Sequence, residues 1–208
     1  AVNFNALLRK LPSTWRTRTG SPHTHGASLI VTGRAGHGSG PGLFHVGSVA
    51  EYLAHHTTVP LVVVPDDAEV TFMRIVVGVD GSPASRAAVA WCADLAAATG
   101  AAVTAVNVHE PFFEWSPKPD PEGWRRDAER RIRDELAPEF VDAGIDLTTV
   151  ARRGERPTDG ILKAAHGADL LVIGLGPVGP LGVRAGGTAF RTLHGARCPI
   201  ALVPVPAS

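Results

Sequence analysis

Ile75-Val76-Val77-Gly78-Val79-Asp80-Gly81-Ser82 is a short β-branched run that ends in an acidic residue, a glycine and a serine suited to capping a helix. Such a run reads as a buried strand that stops at a turn, and Pro83 suits the first turn of the helix that follows. Asp80 then stands at the carboxyl end of a central strand. In an open α/β sheet that is the edge at which small ligands collect.

Downstream of this stretch the chain alternates regularly. Strand Arg74–Val79 leads to helix Ala84–Ala98, closed by Gly100 past its end. Strand Val103–Val108 runs into a loop, Pro111–Glu122, rich in proline and aromatics. Trp124, Ala128, Ile132, Leu136 and Phe140 recur every fourth residue, and Arg125–Glu129 and Arg130–Asp134 are spaced as charged pairs, which predicts an amphipathic helix lying on a sheet. Strand Asp146–Ala151, helix Pro157–Ala165, strand Leu170–Gly174, a glycine-rich stretch, a helix near Gly187–Gly195 and strand Pro199–Pro204 follow. Strands alternating with helices predict a doubly wound parallel sheet with right-handed crossovers.

Upstream, residues 1–28 mix Leu7, Leu8 and Leu11 with Pro12 and a run of Ser, Thr, Arg, Gly, Pro and His, and read as irregular. Leu29–Gly33 reads as a strand, followed by a glycine-rich stretch from Arg34 to Gly42. A helix from Ser48 to about His56 has Val49, Leu53 and His56 spaced for one face. Pro60–Pro65 is a strand bracketed by prolines, more comfortable at a sheet edge than at its centre. Asp66-Asp67-Ala68-Glu69 is a linker.

This upstream order repeats the end of the downstream one. Leu29–Gly33, the glycine-rich loop, Gly47-Ser48 and Pro60–Pro65 parallel Leu171–Gly174, the second glycine-rich loop, Gly187-Thr188 and Pro199–Pro204. Residues 71–208 therefore read as one complete domain, and residues 1–70 as the last third of a preceding copy with its linker.

Composition narrows the function classes. With 44 % hydrophobic residues the chain has enough apolar matter for a packed core. Lys+Arg 20 against Asp+Glu 20 gives no electrostatic reason to expect nucleic acid or a membrane surface as partner. Cys92 and Cys198 are too few for a zinc site or a disulfide framework and read as reduced core thiols. With neither a signal-peptide pattern nor an apolar run of membrane-spanning length, a soluble cytoplasmic protein is expected.

A glycine-rich loop between strand and helix presents backbone N–H groups at a helix N-terminus, where the dipole favours anions. Gly174, Gly176, Gly179, Gly182, Gly186, Gly187 and Thr188 are so placed. No lysine of the P-loop type follows, which disfavours a P-loop ATPase. Gly174-Leu175-Gly176-Pro177-Val178-Gly179 fits a dinucleotide fingerprint literally but comes too late in the chain for one. Asp80 reads equally as an acceptor for a ribose or base, a Mg²⁺ ligand, or a turn residue. Ser82 and Ser85 read as helix caps. Six histidines, His23, His25, His37, His45, His55 and His56, fall upstream without metal-site spacing. Phe112, Phe113 and Trp115 stand in the proline-rich loop as packing residues or a cover for a bound base.

These residues resemble the universal stress protein family. The resemblance rests on Val-Val-Gly-Val-Asp-Gly-Ser at 76–82, Ser85, Trp91, the Gly154–Pro157 turn, Ala168–Gly174, and Gly187-Thr188 before Cys198-Pro199-Ile200. It covers Arg74–Pro204 and, as a partial second copy, Ser28–Pro65. It implies a five-stranded parallel sheet sandwiched by helices, Rossmann-like and of the adenine nucleotide alpha hydrolase type. In one branch of the family it also implies ATP binding with Mg²⁺, without strong catalytic activity.

By position, the resemblance makes Asp80 and Val108 the adenosine-side residues, with Gly78 beside the base, and Gly174, Gly187 and Thr188 the phosphate side, in a pattern Gly-x2-Gly-x9-Gly-Ser/Thr. Pro177 occupies that pattern's second glycine, removing one N–H donor. This leaves open a nucleotide-free interaction scaffold as the alternative function. The family's pairing through last strands implies a homodimer, or an intrachain pseudo-dimer in which Pro60–Pro65 pairs with Pro199–Pro204 and covers an exposed edge.

Overall fold

The computed structural model describes residues 28–34, 46–65, 68, 72–109, 121–177, 179 and 187–206. The expectations for residues 1–27, for most of both glycine-rich loops, for four of the upstream histidines and for Phe112, Phe113 and Trp115 lie outside them.

The elements are β1 (Ile30–Gly33), α1 (Ser48–His56), β2 (Leu61–Val64), β3 (Arg74–Gly78), α2 (Pro83–Thr99), β4 (Ala102–His109) and α3 (Pro121–Arg131). A π-helical turn (Ile132–Leu136) leads to α4 (Pro138–Asp142), β5 (Leu147–Arg153), α5 (Pro157–Ala164), β6 (Leu170–Leu175), α6 (Thr188–Gly195) and β7 (Ile200–Pro204). All seven strands lie in one sheet, ordered β1-β2-β7-β6-β3-β4-β5.

Residues 74–204 supply the expected five parallel strands, β7-β6-β3-β4-β5. The upstream copy, residues 28–65, extends them to seven among the described residues. Its β2 runs antiparallel to β7, with Leu61 opposite Leu202, Val62 opposite Ala201 and Val63 opposite Ile200, while β1 pairs with β2 in parallel. The two proline-bracketed strands are therefore joined. An edge position was expected for Pro60–Pro65, but β2 lies inside the sheet. Pro60 and Pro65 flank the paired residues 61–64, and Pro204 lies beyond the register shared with β2, so no proline interrupts that seam.

Strand alternation sorts side chains onto two faces. Val62, Val64, Ile75, Val77, Val103, Ala105, Leu170, Val172, Ala201 and Val203 join α2, Ile132 and Phe140 in one core. Leu61, Val63, Val76, Val106, Leu171, Ile173, Ile200 and Leu202 join α1, α5 and α6 in the other. Each core takes residues from both copies.

Two local expectations are corrected. In α1 the buried residues are Ala50 and Ala54, and Val49 is 64 % exposed, because the helix meets the core that holds Leu61 and Val63 of β2 on its alanine side. The segment from Trp124 to Phe140 is not one α-helix. A spacing of four drifts about 40° per step on an α-helix, and the π turn takes up that drift: Ala137 N donates to Ile132 O at 2.9 Å, five residues back. Ile132 and Phe140 thus both reach the core, and Pro138, without an N–H, begins α4. Among the described residues the ion pairs on this segment are Arg130–Asp127 at 2.8 Å and Arg131–Glu135 at 3.2 Å, in place of the two predicted from spacing.

Candidate functional site

The chain leaves β3 through a turn assembled from its own short polar side chains. Asp80 Oδ1 accepts the N–H of Ser82 at 2.9 Å, Ser82 Oγ accepts that of Ser85 at 3.1 Å, and Ser85 Oγ accepts that of Asp80 at 3.1 Å. Gly81 sits between them at φ 81°, a left-handed conformation that glycine adopts without strain. Ser82 is the N-cap of α2 and Pro83 follows inside its first turn, as the sequence predicts. Val79, the last residue before the turn, is held by its neighbour β4: its N–H donates to Val106 O at 2.8 Å and its carbonyl accepts from Asn107 Nδ2 at 2.5 Å.

This turn forms one wall of a cavity of about 480 Å³, a size that suits a small-molecule ligand. β3 and β6 are neighbours whose crossovers run to opposite sides of the sheet, so the cavity opens at a topological switch point. All seven residues singled out from the sequence, Gly78, Asp80, Val108, Gly174, Gly176, Gly187 and Thr188, line it. Pro177 lines it as well.

Three helices begin at the cavity: α2 at Ser82–Ser85, α5 at Pro157 and α6 at Gly187–Thr188. The first N–H groups of a helix lack intrahelical acceptors and carry the positive end of its dipole. They differ in how they are met. Ser82 caps α2, whereas the N-cap residues of α5 and α6, Arg156 and Gly187, make no side-chain cap bond. Asp80 is the one charged side chain among the described lining residues. An anion placed here would meet backbone dipoles rather than a described cationic side chain.

The glycines have separable reasons. A Cβ on Gly174 would lie 2.2 Å from Ala84 O and 2.8 Å from Ser85 N, so glycine at this position lets the start of α2 sit directly on β6. A Cβ on Gly78 would lie 2.9 Å from Ile173 Cδ1 and 3.4 Å from Ile161 Cδ1, both cavity residues. Gly176 has none of the described residues within 4 Å of that position.

Comparison with known proteins follows from this geometry. The sequence profile of the Universal stress protein family matches residues 23–65 and again 71–204. The chain belongs to the universal stress protein family. A universal stress protein of Mycobacterium tuberculosis (strain H37Rv) is 26 % identical over 196 residues, covering 86 % of this chain and 59 % of its own length. The chain thus spans about three fifths of that relative. A universal stress protein of Archaeoglobus fulgidus has a similar crystal structure, with TM-score 0.58 and 21 % identity over 86 % of this chain and 61 % of that one. A universal stress protein crystallised in complex with cAMP is 23 % identical over 64 % of this chain and 98 % of its own, with TM-score 0.47.

Several residues that build this universal stress protein site were not singled out from the sequence. Ile161, Ile173 and Phe190 supply apolar wall. The sequence reading places them only within the helix Pro157–Ala165, the strand Leu170–Gly174 and the helix Gly187–Gly195. Asn107, 7 % exposed, was detectable as the one amide in the apolar run Val103–Val108, a signal that a main-chain group nearby needs a partner. Among the described residues no group of three or more His, Cys, Asp or Glu is placed to hold a metal ion, and no helix is long and apolar enough to cross a membrane.

Proposed function

We propose that this chain is an adenine-nucleotide-binding stress-response or signalling module that takes MgATP in the cavity between β3 and β6, with little or no hydrolysis. The observation that carries this reading is the start of α6, whose N-cap residue Gly187 offers no side chain of its own and which lines the same cavity as Asp80. In this reading Gly78 and Val108 flank the adenosine, Asp80 accepts a ribose hydroxyl, and the N–H groups around Gly176, Gly187 and Thr188 receive phosphate oxygens. The residues present fit such a ligand: Gly78 keeps the apolar end open and the helix starts supply donors at the other. ATP brings its own Mg²⁺, held chiefly by phosphate and water, so the lack of a carboxylate cluster is compatible with it.

Weak hydrolysis follows from the lining. Its one titratable described side chain, Asp80, already accepts the Ser82 N–H, and no lining histidine stands ready to activate water. The β2–β7 seam serves in this reading as the intrachain form of the family's last-strand pairing, in a cytoplasmic protein.

Pro177 favours a second reading, a nucleotide-free interaction scaffold, because it replaces a donor in the cavity wall. Calorimetric titration of the full chain with MgATP separates the two. Binding heat that is lost in Asp80→Ala and strengthened in Pro177→Gly supports the nucleotide reading. No heat with the unaltered chain supports the scaffold.

A further inference from the structure

The first copy holds the helix α6, whose start lines the cavity. Arg34, at the end of β1, is 8 % exposed although it is an arginine. Its own main chain is tied down, its N–H donating to Val64 O at 2.8 Å and its carbonyl accepting from Gly47 N at 2.7 Å. Its guanidinium reaches across to the far copy, where Nη1 donates to Ala196 O and Nη2 to Leu193 O at 3.1 Å and His194 O at 2.6 Å. Leu193 and His194 belong to the last turn of α6 and Ala196 is its C-cap; carbonyls at a helix C-terminus lack intrahelical partners and carry the negative end of the dipole. A second contact lies along the flank of the helix. His55 of α1 stacks on Phe190 of α6 with centroids 4.1 Å apart and planes 22° apart, and Glu51 Oε1 stands 3.7 Å from His194 Nε2.

The other end of α6 is the cavity wall. Gly187, Thr188, Ala189 and Phe190 all line it. An eight-residue helix is a rod of about 12 Å, too short to bend, so a group that fixes one end sets the position of the other. The clamp is also one-sided. In the internal repeat, Gly33-Arg34 corresponds to Gly174-Leu175, and leucine has no donor with which to hold α1 in return.

We infer that Arg34 and His55 are positioning residues for the ligand cavity, fixing α6 from the first copy so that docking of that copy and occupancy of the cavity are coupled. The identity of the ligand rests on the nucleotide reading above, but the clamp itself does not. Linkage makes the coupling reciprocal: ligand at the start of α6 tightens the α1–α6 contact.

The test uses the full chain, unaltered and as Arg34→Met, His55→Ala and His55→Phe. Each is titrated with MgATP while hydrogen exchange is followed in residues 188–195 and 48–56. Expected are a loss of affinity of about fivefold or more in Arg34→Met and His55→Ala, faster exchange in the first turn of α6, and recovery in His55→Phe, which restores the stack. MgATP should also slow exchange in α1 of the unaltered protein. If Arg34→Met does not fold, the two His55 variants decide. Unaltered affinity and exchange in His55→Ala, or no recovery in His55→Phe, overturns the inference. No heat with the unaltered chain instead overturns the nucleotide reading, and exchange at α6 then decides the clamp alone: faster in His55→Ala supports it, unaltered overturns it.

Discussion

Ser85 Oγ accepts the backbone N–H of Asp80 at 3.1 Å from within the first turn of α2, so the residue that tips the central strand is held by the helix that follows it. Ser82 closes the loop from the other side, donating its N–H to Asp80 and capping α2 with its hydroxyl. Ser82→Ala should lower the unfolding free energy by about 1 kcal/mol through the lost cap. Ser85→Ala should cost a similar amount, about 1 kcal/mol, for one hydrogen bond. Asp80→Asn keeps an oxygen acceptor for Ser82 N–H and should leave stability nearly unchanged. Urea unfolding of the three variants checks the order.

Gly174 and Gly176 are two residues apart and should answer the same substitution differently. Gly174→Ala drives a methyl group into the backbone of Ala84, which cannot swing aside as a side chain can, so α2 must shift. Overpacking of this kind costs about 1–3 kcal/mol or more. Gly176→Ala meets none of the described residues within 4 Å and should fall within about 0.5 kcal/mol of the unaltered protein. Denaturation midpoints separate the two. Equal losses would show that the close approach of α2 to β6 is not what requires glycine at 174.

The seam between the copies should behave as core. Leu61 is fully buried, faces Leu202 across the antiparallel pair, and belongs to the core that also holds Ile173, Phe190 and Leu193. Leu61→Ala should destabilise by about 2–5 kcal/mol. The loss should appear in a single calorimetric transition, because both cores draw on both copies and neither has a core of its own to melt separately. A separate early transition, with the remainder melting at the unaltered temperature, would contradict this.

What was readable in the sequence follows from which physical signals are local. The strand Ile75–Val77, the Ser82 cap, Pro83 at the helix start and the left-handed Gly100 that closes α2 each carry their cause within a few residues, and the structure shows each in place. The β2–β7 pairing was legible only through the family resemblance, whose last-strand pairing implies it for these two proline-bracketed strands; nothing local in either strand names its partner. The edge placement of Pro60–Pro65 was misjudged because prolines outside the paired residues impose nothing on the pairing. The buried face of α1 differs from the expected one because hydropathy favours Val49, whereas the helix meets the core that holds Leu61 and Val63 through the small side chains Ala50 and Ala54. Arg34 was invisible as a site residue: its partners lie some 160 positions away, and nothing in a glycine-rich stretch marks an arginine for burial.

The two cysteines give a pH-dependent test of how the seam side of the fold is packed. Burial pushes the Cys198 thiol from 9.0 up to about 11, with the charge of Asp169 pushing the same way and the Arg34 guanidinium pulling against it. Cys92, wholly buried in the α2 core, is raised still further by the same cause. Both thiols should therefore react very slowly with a disulfide reagent at pH 8 in the native protein and promptly in urea, since the thiolate is the attacking form. The sign of the stability effect follows from the shift. The folded state holds the Cys198 proton more tightly than the unfolded state, so its contribution is complete below about pH 9 and is lost as pH rises toward about 11. Cys198→Ala removes that dependence. Unfolding free energies of the two proteins, compared between pH 8 and 11, should thus converge or cross in favour of the variant as pH rises. A difference that stays constant over that range would show that the Cys198 thiol is reachable by solvent in the folded chain.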